Sequence, residues 1–185
     1  MMNIDQLIYD TAIEQGFNPE AAKLIAAQAR FESADYTSNV FLANNNTSGI
    51  KFISQPNAVR GSLSPEGNYY AKFNTIQDAI NDKIVRLYNI NMRGVTPQQL
   101  KSSNTPDEFA RLLKQRGYYG DSAYGTSGAE SEISNYTKGL KAKLFKINVL
   151  EFYNKNKNNI NYGTIGIVVI GITLYVYYLK KKRVL

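Results

Sequence analysis

Apolar residues recur at three- and four-residue intervals along most of the first 150 positions, and the pattern breaks at glycine, proline and asparagine. Ile4, Leu7, Ile8 and Ala12 predict a first helix, which Gly16 ends. Asn18 and Pro19 then suit the cap and first turn of a second helix. Ala21, Leu24, Ile25, Ala27 and Phe31 give that helix a broad buried face, interrupted by the polar Gln28. Gln28 and Glu32 are four residues apart and so lie on one side, which predicts that both open onto a common surface. Residues 33–50 hold no period and read as a loop with short helical turns.

From Lys51 to Phe73 the pattern changes. Phe52, Ile53, Val59, Leu63, Tyr69 and Phe73 are separated by Pro56-Asn57, Gly61, Pro65 and Glu66-Gly67, which predicts an irregular hairpin or small flap. Thr75 with Asp78, Thr96-Pro97-Gln98-Gln99 and Thr105-Pro106-Asp107-Glu108 are three helix starts. The first leads into one apolar face of Ile76, Ala79, Ile80, Ile84, Leu87 and Tyr88. Phe109, Leu112 and Leu113 serve the last. Gly117 to Gly128 reads as a surface loop, and Ile133, Tyr136, Leu140, Leu144, Ile147 and Leu150 predict a long helix with a basic outer face from Lys138 to Lys146.

Beyond it, Asn154 to Asn161 reads as a flexible polar joint. Tyr162 to Leu179 is an uncharged run followed by Lys180-Lys181-Lys182-Arg183. At about 1.5 Å per residue it reaches roughly 27 Å, enough for a single-pass transmembrane helix with interfacial tyrosines. The expected division is a mainly α domain with a small β flap at 1–153, a linker at 154–161, the membrane helix at 162–179 and a basic tail at 180–185. The N-terminal residues carry no basic region ahead of a long apolar core, so no cleavable signal peptide is expected.

Charge sharpens this division. Residues 1–135 hold 12 Lys and Arg against 14 Asp and Glu, a balance of −2, whereas residues 136–185 hold 10 against 1, a balance of +9. The basic excess therefore sits beside the predicted membrane segment, where it suits anionic headgroups, and the folded body offers little to nucleic acid. With 0 Cys and 0 His, a catalytic cysteine, a Ser-His pair and a histidine-held zinc are all excluded. Carboxylate chemistry remains, assisted by amides and by 14 tyrosines. No cofactor is expected, and the dispersed acids form no metal loop.

Glu32 is the candidate general acid. It ends an apolar helix beside the amide-rich stretch Asn44-Asn45-Asn46-Thr47-Ser48-Gly49-Ile50-Lys51, where shielding favours the neutral, proton-bearing form. Gln28, Asn44, Asn45 and Asn46 are placed to hold polar substrate groups, and Tyr118, Tyr119 and Tyr124 to offer ring faces and hydroxyls. Glu66 on the flap is the candidate second acid, with Asp35 and Asp121 as alternatives.

Four segments carry a resemblance. Ala27-Gln28-Ala29-Arg30-Phe31-Glu32-Ser33, the stretch Phe41 to Lys51, the stretch Tyr70 to Ile80, and Leu112-Leu113-Lys114-Gln115-Arg116-Gly117-Tyr118-Tyr119-Gly120-Asp121 follow one another as in bacterial and phage glucosaminidases of the flagellar-hydrolase and autolysin type. Over about residues 10–145 the chain resembles that family. The likeness implies a lysozyme-like helical fold and cleavage of the bond between N-acetylglucosamine and N-acetylmuramic acid in peptidoglycan. It implies Glu32 as general acid, Asn45, Gly49 and Lys51 near the cleft floor, and Tyr118 in the substrate groove. Two places depart from the family pattern: Ala34-Asp35-Tyr36 stands where glycine and tryptophan are usual, and Tyr119-Gly120-Asp121 replaces alanine-threonine-aspartate.

The expectation is a membrane-anchored peptidoglycan hydrolase, its partners being glycan strands, a lipid membrane and envelope or virion proteins, in a setting such as a phage virion membrane. A lytic transglycosylase on the same fold and a non-enzymatic glycan-binding membrane or virion protein are the alternatives.

Overall fold

The computed structural model describes residues 3–156. The predicted membrane helix at 162–179, most of the linker and the basic tail lie outside these residues. Among the described residues no helix is long and apolar enough to cross a membrane.

Among the described residues, seven α-helices and one hairpin follow in order: α1 (Ile4–Glu14), α2 (Pro19–Glu32), α3 (Asn39–Asn44), β1 (Ala58–Leu63), β2 (Tyr69–Phe73), α4 (Ile76–Lys83), α5 (Pro97–Lys101), α6 (Pro106–Gln115) and α7 (Ser127–Asn156). Residues up to Ile147 form one compact unit, and a second begins at Asn148. Helix α7 runs to Asn156, three residues into the stretch that reads as a joint.

α2 is the axis of the first unit. Its alanines at 21, 22, 26, 27 and 29, with Leu24 and Ile25, are buried around nearly the whole circumference, because small side chains let neighbouring elements approach from every side. Ile8 and Ala12 of α1, Leu100, Phe109, Leu113, Ile133 and Leu140 pack into the same core. Caps fix where the helices begin. Asn18 accepts from the Ala21 N–H at 2.7 Å, and Thr75 with Asp78 and Thr96 with Gln99 close full capping boxes. Before α6 the reciprocal arm slips by one residue: the Glu108 carboxylate accepts from the Asn104 N–H at 2.9 Å, while Thr105 accepts from the Glu108 N–H.

The flap is a two-stranded antiparallel hairpin with an irregularity between Arg60 and Leu63. Asn44 at the end of α3 fills it, accepting from the Ser62 N–H at 3.1 Å and donating to Ser62 Oγ at 2.8 Å. A Cβ on Gly61 would collide with the Asn44 side chain, so glycine is required for this close approach. Asn46, 1 % exposed, joins the following loop to β2: its amide nitrogen donates to Ile50 O and Ala71 O, and its oxygen accepts from the Ser48 and Ile50 N–H groups.

Beyond α4, residues Ile84–Tyr88 form a π-helical turn, closed by the Asn89 N–H donating to Ile84 O at 3.1 Å. Single π turns tend to sit at functional sites. Here the widened backbone carries Lys83, Ile84 and Tyr88 into the interior.

Two other segments are held by charged side chains. Ala34, Asp35 and Tyr36 all adopt positive φ, of 52°, 58° and 66°, directly after α2. Left-handed backbone costs about 1–2 kcal/mol per residue without a glycine, and a charged lattice holds it. Arg30 bonds Asp5 through Nε and Nη2 and reaches Asp35, Tyr36 donates to Asp5 at 2.7 Å, and Lys143 and Lys146 both contact Asp35 at 2.8 Å. Two lysines of the predicted basic face of α7 are thus turned to Asp35, whereas Lys138 and Lys141 are exposed. The second segment is the loop before α7. Glu132 accepts from the Asp121 and Ser122 N–H groups and Ser122 Oγ, and pairs with the buried Lys114, which also donates to Tyr119 O.

That anchor makes an acid-sensitive contact. Lys114 foremost, then Ser122, overcomes the opposing effect of burial and holds the Glu132 carboxyl down at about 2, below the ordinary 4.5. The folded state therefore prefers the ionised form, so this contribution is fully present above about pH 4.5 and is lost as the pH falls toward 2. Melting temperatures taken between pH 6 and pH 3 should fall less steeply for Glu132→Gln than for the native protein.

Candidate active site

The last residue of α2 is Glu32, and its side chain is 15 % exposed. Tyr118, just past α6, donates its hydroxyl to both carboxylate oxygens at 2.7 and 2.8 Å. Tyr136 of α7 donates to Oε1 at 2.9 Å. Behind them stands a buried relay in which Gln28 Nε2 donates to the Tyr136 hydroxyl at 2.9 Å and the Tyr88 hydroxyl donates to Gln28 Oε1. Burial first, and the Glu32 charge second, pushes Tyr88, Tyr118 and Tyr136 well above the ordinary phenol range. All three phenols therefore stay protonated and keep their bonds pointed along the relay. Lys83 Nζ lies 3.6 Å from Glu32 Oε2.

Packing fixes this arrangement. Phe31 meets the Tyr136 ring edge-on at 5.4 Å, and Tyr119 stacks on the other part of the wall, 4.0 Å from the Tyr136 ring with planes 6° apart. A Cβ on Gly139 would run into the Phe31 ring, so the α7 backbone can lie against α2 only with glycine there.

Glu32 faces a cleft of about 1150 Å³. Small-molecule pockets run to roughly 1,000 Å³, so this space suits more than one sugar ring. Tyr118, Tyr119 and Tyr136 line it on the side of Glu32, Ser48 to Lys51 and Ile53 enter from the loop before the hairpin, and Asp78, Asn81, Asp82, Val85, Arg86 and Ile90 come from α4 and the turn beyond it. A carboxyl group with phenol donors on one side and an open groove on the other can exchange a proton with a bound glycosidic oxygen.

The remaining sequence candidates fall in other places. Gln28 does not open onto the surface beside Glu32: it is 0 % exposed and its amide is bound to two tyrosines, because α2 is covered all round. Asn44 and Asn46 are engaged in the hairpin and loop contacts above, and Asn45 donates to Phe73 O at 3.0 Å. These amides hold the segment whose far end, Ser48 to Lys51, reaches the cleft. Glu66 sits at the hairpin tip, 64 % exposed, outside the cleft lining and 2.8 Å from Lys51 Nζ. Hydrogen bonding to Lys51, then to Ser64, holds its carboxyl at about 2.

Asp35 belongs to the brace behind α2. Burial acts to raise it, but Lys143, Lys146 and Arg30 prevail and keep it well below the carboxylate range. Asp121 lies in the loop held by Glu132. Tyr119 borders the cleft with its ring while its hydroxyl donates to Ala110 O at 2.9 Å, and Tyr124 is exposed and outside the lining.

Sequence reading passed over Lys83, Tyr88 and Tyr136. Lys83 left a signal: it lies three residues after Ile80 and four after Ala79, at the centre of the apolar face of α4, where a lysine is out of place. Tyr88 and Tyr136 looked like ordinary core residues, since nothing in the chain shows that their hydroxyls meet on Gln28.

Comparison with known proteins gives this geometry a context. The catalytic domain of the autolysin Auto from Listeria monocytogenes is 17% identical, with a TM-score of 0.53 over 80% of this chain and 82% of that one. The glycoside hydrolase domain of FlgJ from Salmonella typhimurium is 18% identical, with a TM-score of 0.51 over 86% of this chain and 100% of that one. A chain from a type VI secretion system effector-immunity complex of Pseudomonas protegens is 17% identical, with a TM-score of 0.50 over 76% and 87%. At such identities the likeness is one of fold: mainly α, lysozyme-like, with a two-stranded hairpin. No curated protein matches the sequence. Residues 7–141 match the glucosaminidase family, described as mannosyl-glycoprotein endo-beta-N-acetylglucosaminidase, and this span contains Glu32, Lys83, Tyr118 and Tyr136. The chain belongs to that family and is a glycoside hydrolase of the endo-β-N-acetylglucosaminidase type.

Proposed function

We propose that the protein hydrolyses peptidoglycan, cutting the β-1,4 bond between N-acetylglucosamine and N-acetylmuramic acid, with Glu32 as the general acid. The observation that carries this reading is the placement of a shielded carboxyl, held by Tyr118 and Tyr136, at the wall of a cleft large enough for a glycan strand. Two solved domains of the same fold are named as an autolysin and a glycoside hydrolase.

Protonation of the bridging oxygen by Glu32 releases the leaving sugar, and positive charge develops at the anomeric carbon. The Tyr118 and Tyr136 hydroxyls then stabilise the carboxylate left behind. A water molecule then adds its oxygen to the anomeric carbon and gives up a proton, which by way of solvent restores the Glu32 acid; Glu66, ionised at the hairpin tip, positions that water or stabilises the charge from the opposite face of the sugar when the flap folds over a bound strand, and the substrate's acetamido group shares that task. On this reading Glu66→Gln slows cleavage about 10–100-fold, a smaller loss than general-acid removal brings. Steady-state rates on purified cell walls check this, and an unchanged rate assigns the whole task to the substrate.

Mass spectrometry of the released fragments tests the function itself. Reducing N-acetylglucosamine ends support it, anhydro-muramic ends assign a transglycosylase, and the absence of products assigns a binding protein. We also propose that 162–179 tethers the enzyme to a membrane, in keeping with a virion-borne lytic domain. The uncharged run followed by four basic residues supports this, and recovery of the intact chain in the soluble fraction after high-speed centrifugation would reject it.

A further inference from the structure

Lys83 is 2 % exposed and stands where α4 passes into the π turn. Its Nζ has no hydrogen-bond partner among the described residues, and Glu32 Oε2, at 3.6 Å, forms its ion pair. Removing an ammonium from water costs several kcal/mol, and an apolar side chain of similar length would pack in the same space without that cost. Strongly perturbed ionisable groups of this kind gather at reaction centres.

We propose that Lys83 is a positioning residue for Glu32, the fixed counter-charge that sets the alkaline limit of catalysis. This rests on Glu32 being the general acid.

The groups around Glu32 leave few other candidates. Tyr118 and Tyr136 bond it directly, Tyr88 and Gln28 stand behind them, and Arg116, near Tyr88, is buried and donates to Ile90 O. The phenols hold their protons through the neutral range, Arg116 remains charged, and Gln28 does not titrate. Lys83 is therefore the charged group that faces Glu32 from the end of α4, 3.6 Å from Oε2. Burial weakens the hold of Lys83 on its proton while the Glu32 charge strengthens it. The ammonium of Lys83, 3.6 Å from Oε2, draws on the proton that Glu32 gives to the glycosidic oxygen, an influence that an apolar neighbour would not exert. Lys83 is absent from the cleft lining, so it acts on the proton and not on the sugar.

The test is the pH profile of kcat/KM on soluble glycan fragments for the native protein, Lys83→Met and Glu32→Gln. Lys83→Met should move the alkaline limb upward by about one unit or more with KM unchanged. A limb that stays in place or moves down in folded Lys83→Met overturns the proposal while leaving the role of Glu32 intact, whereas native activity in Glu32→Gln overturns the underlying reading instead. NMR titration of the Lys83 Cε signal gives a second measurement, free of the Lys83 variant. In Glu32→Gln the lysine should lose its proton at a lower pH than in the native protein, and coincident titrations would refute the pairing.

Discussion

Glu32→Gln is expected to lower the rate of glycan cleavage about 10³-fold, the effect typical of removing a general acid. The substitution preserves shape and leaves an oxygen to accept from Tyr118 and Tyr136, so the cleft should keep its form and its affinity for glycan. What disappears is the proton that the leaving oxygen needs. The fold should survive with a somewhat lower melting temperature, since Lys83 loses the charge that offsets its burial. Release of reducing ends from purified cell walls, measured beside binding of the same material by sedimentation, separates the two effects. Retained binding with lost release is the expected pair, and native release would remove Glu32 from the mechanism.

Asn46→Ala is expected to be the most destabilising single change outside the apolar core, by about 3–5 kcal/mol. The figure follows from the bonds lost: one amide serves Ile50 O, Ala71 O and the Ser48 and Ile50 N–H groups, and each buried group left alone costs about 1–3 kcal/mol, partly recovered where water can enter. Asn46→Asp should not rescue it. The aspartate keeps the acceptor for the two N–H groups but turns a second oxygen toward the Ile50 and Ala71 carbonyls, which need a donor. Chemical denaturation of both variants checks this. Because Ser48 to Lys51 border the cleft, activity should fall more steeply on warming in Asn46→Ala than in the native protein.

These two residues show how far the chain could be read. Asn18, Thr75 and Thr96 cap helices where spacing predicts, because a cap is a bond over two or three residues and its chemistry is local. The hairpin between Lys51 and Phe73 was equally visible in its glycines and prolines. Glu32 stood out because an acid ended an apolar run. The asparagines are different: a side-chain amide satisfies whichever backbone groups the folded chain leaves open, and for Asn46 one of those belongs to Ala71, 25 positions away. Composition reveals that an amide is present but not which way it turns. Tyr136 and Gln28, 108 positions apart, carry the same lesson. The π turn after Lys83 has no sequence signature of its own.

The left-handed run at Ala34–Tyr36 has a consequence for where this domain can be cut. Its awkward backbone is clasped by Asp5 near the front of the chain and by Lys143 and Lys146 near the end of the first compact unit. A shortened version that begins at α2, or stops before Lys143, would retain every group lining the groove and still slacken the bend immediately beyond the acid. The smallest fragment that keeps its catalytic edge therefore reaches well past the groove in both directions.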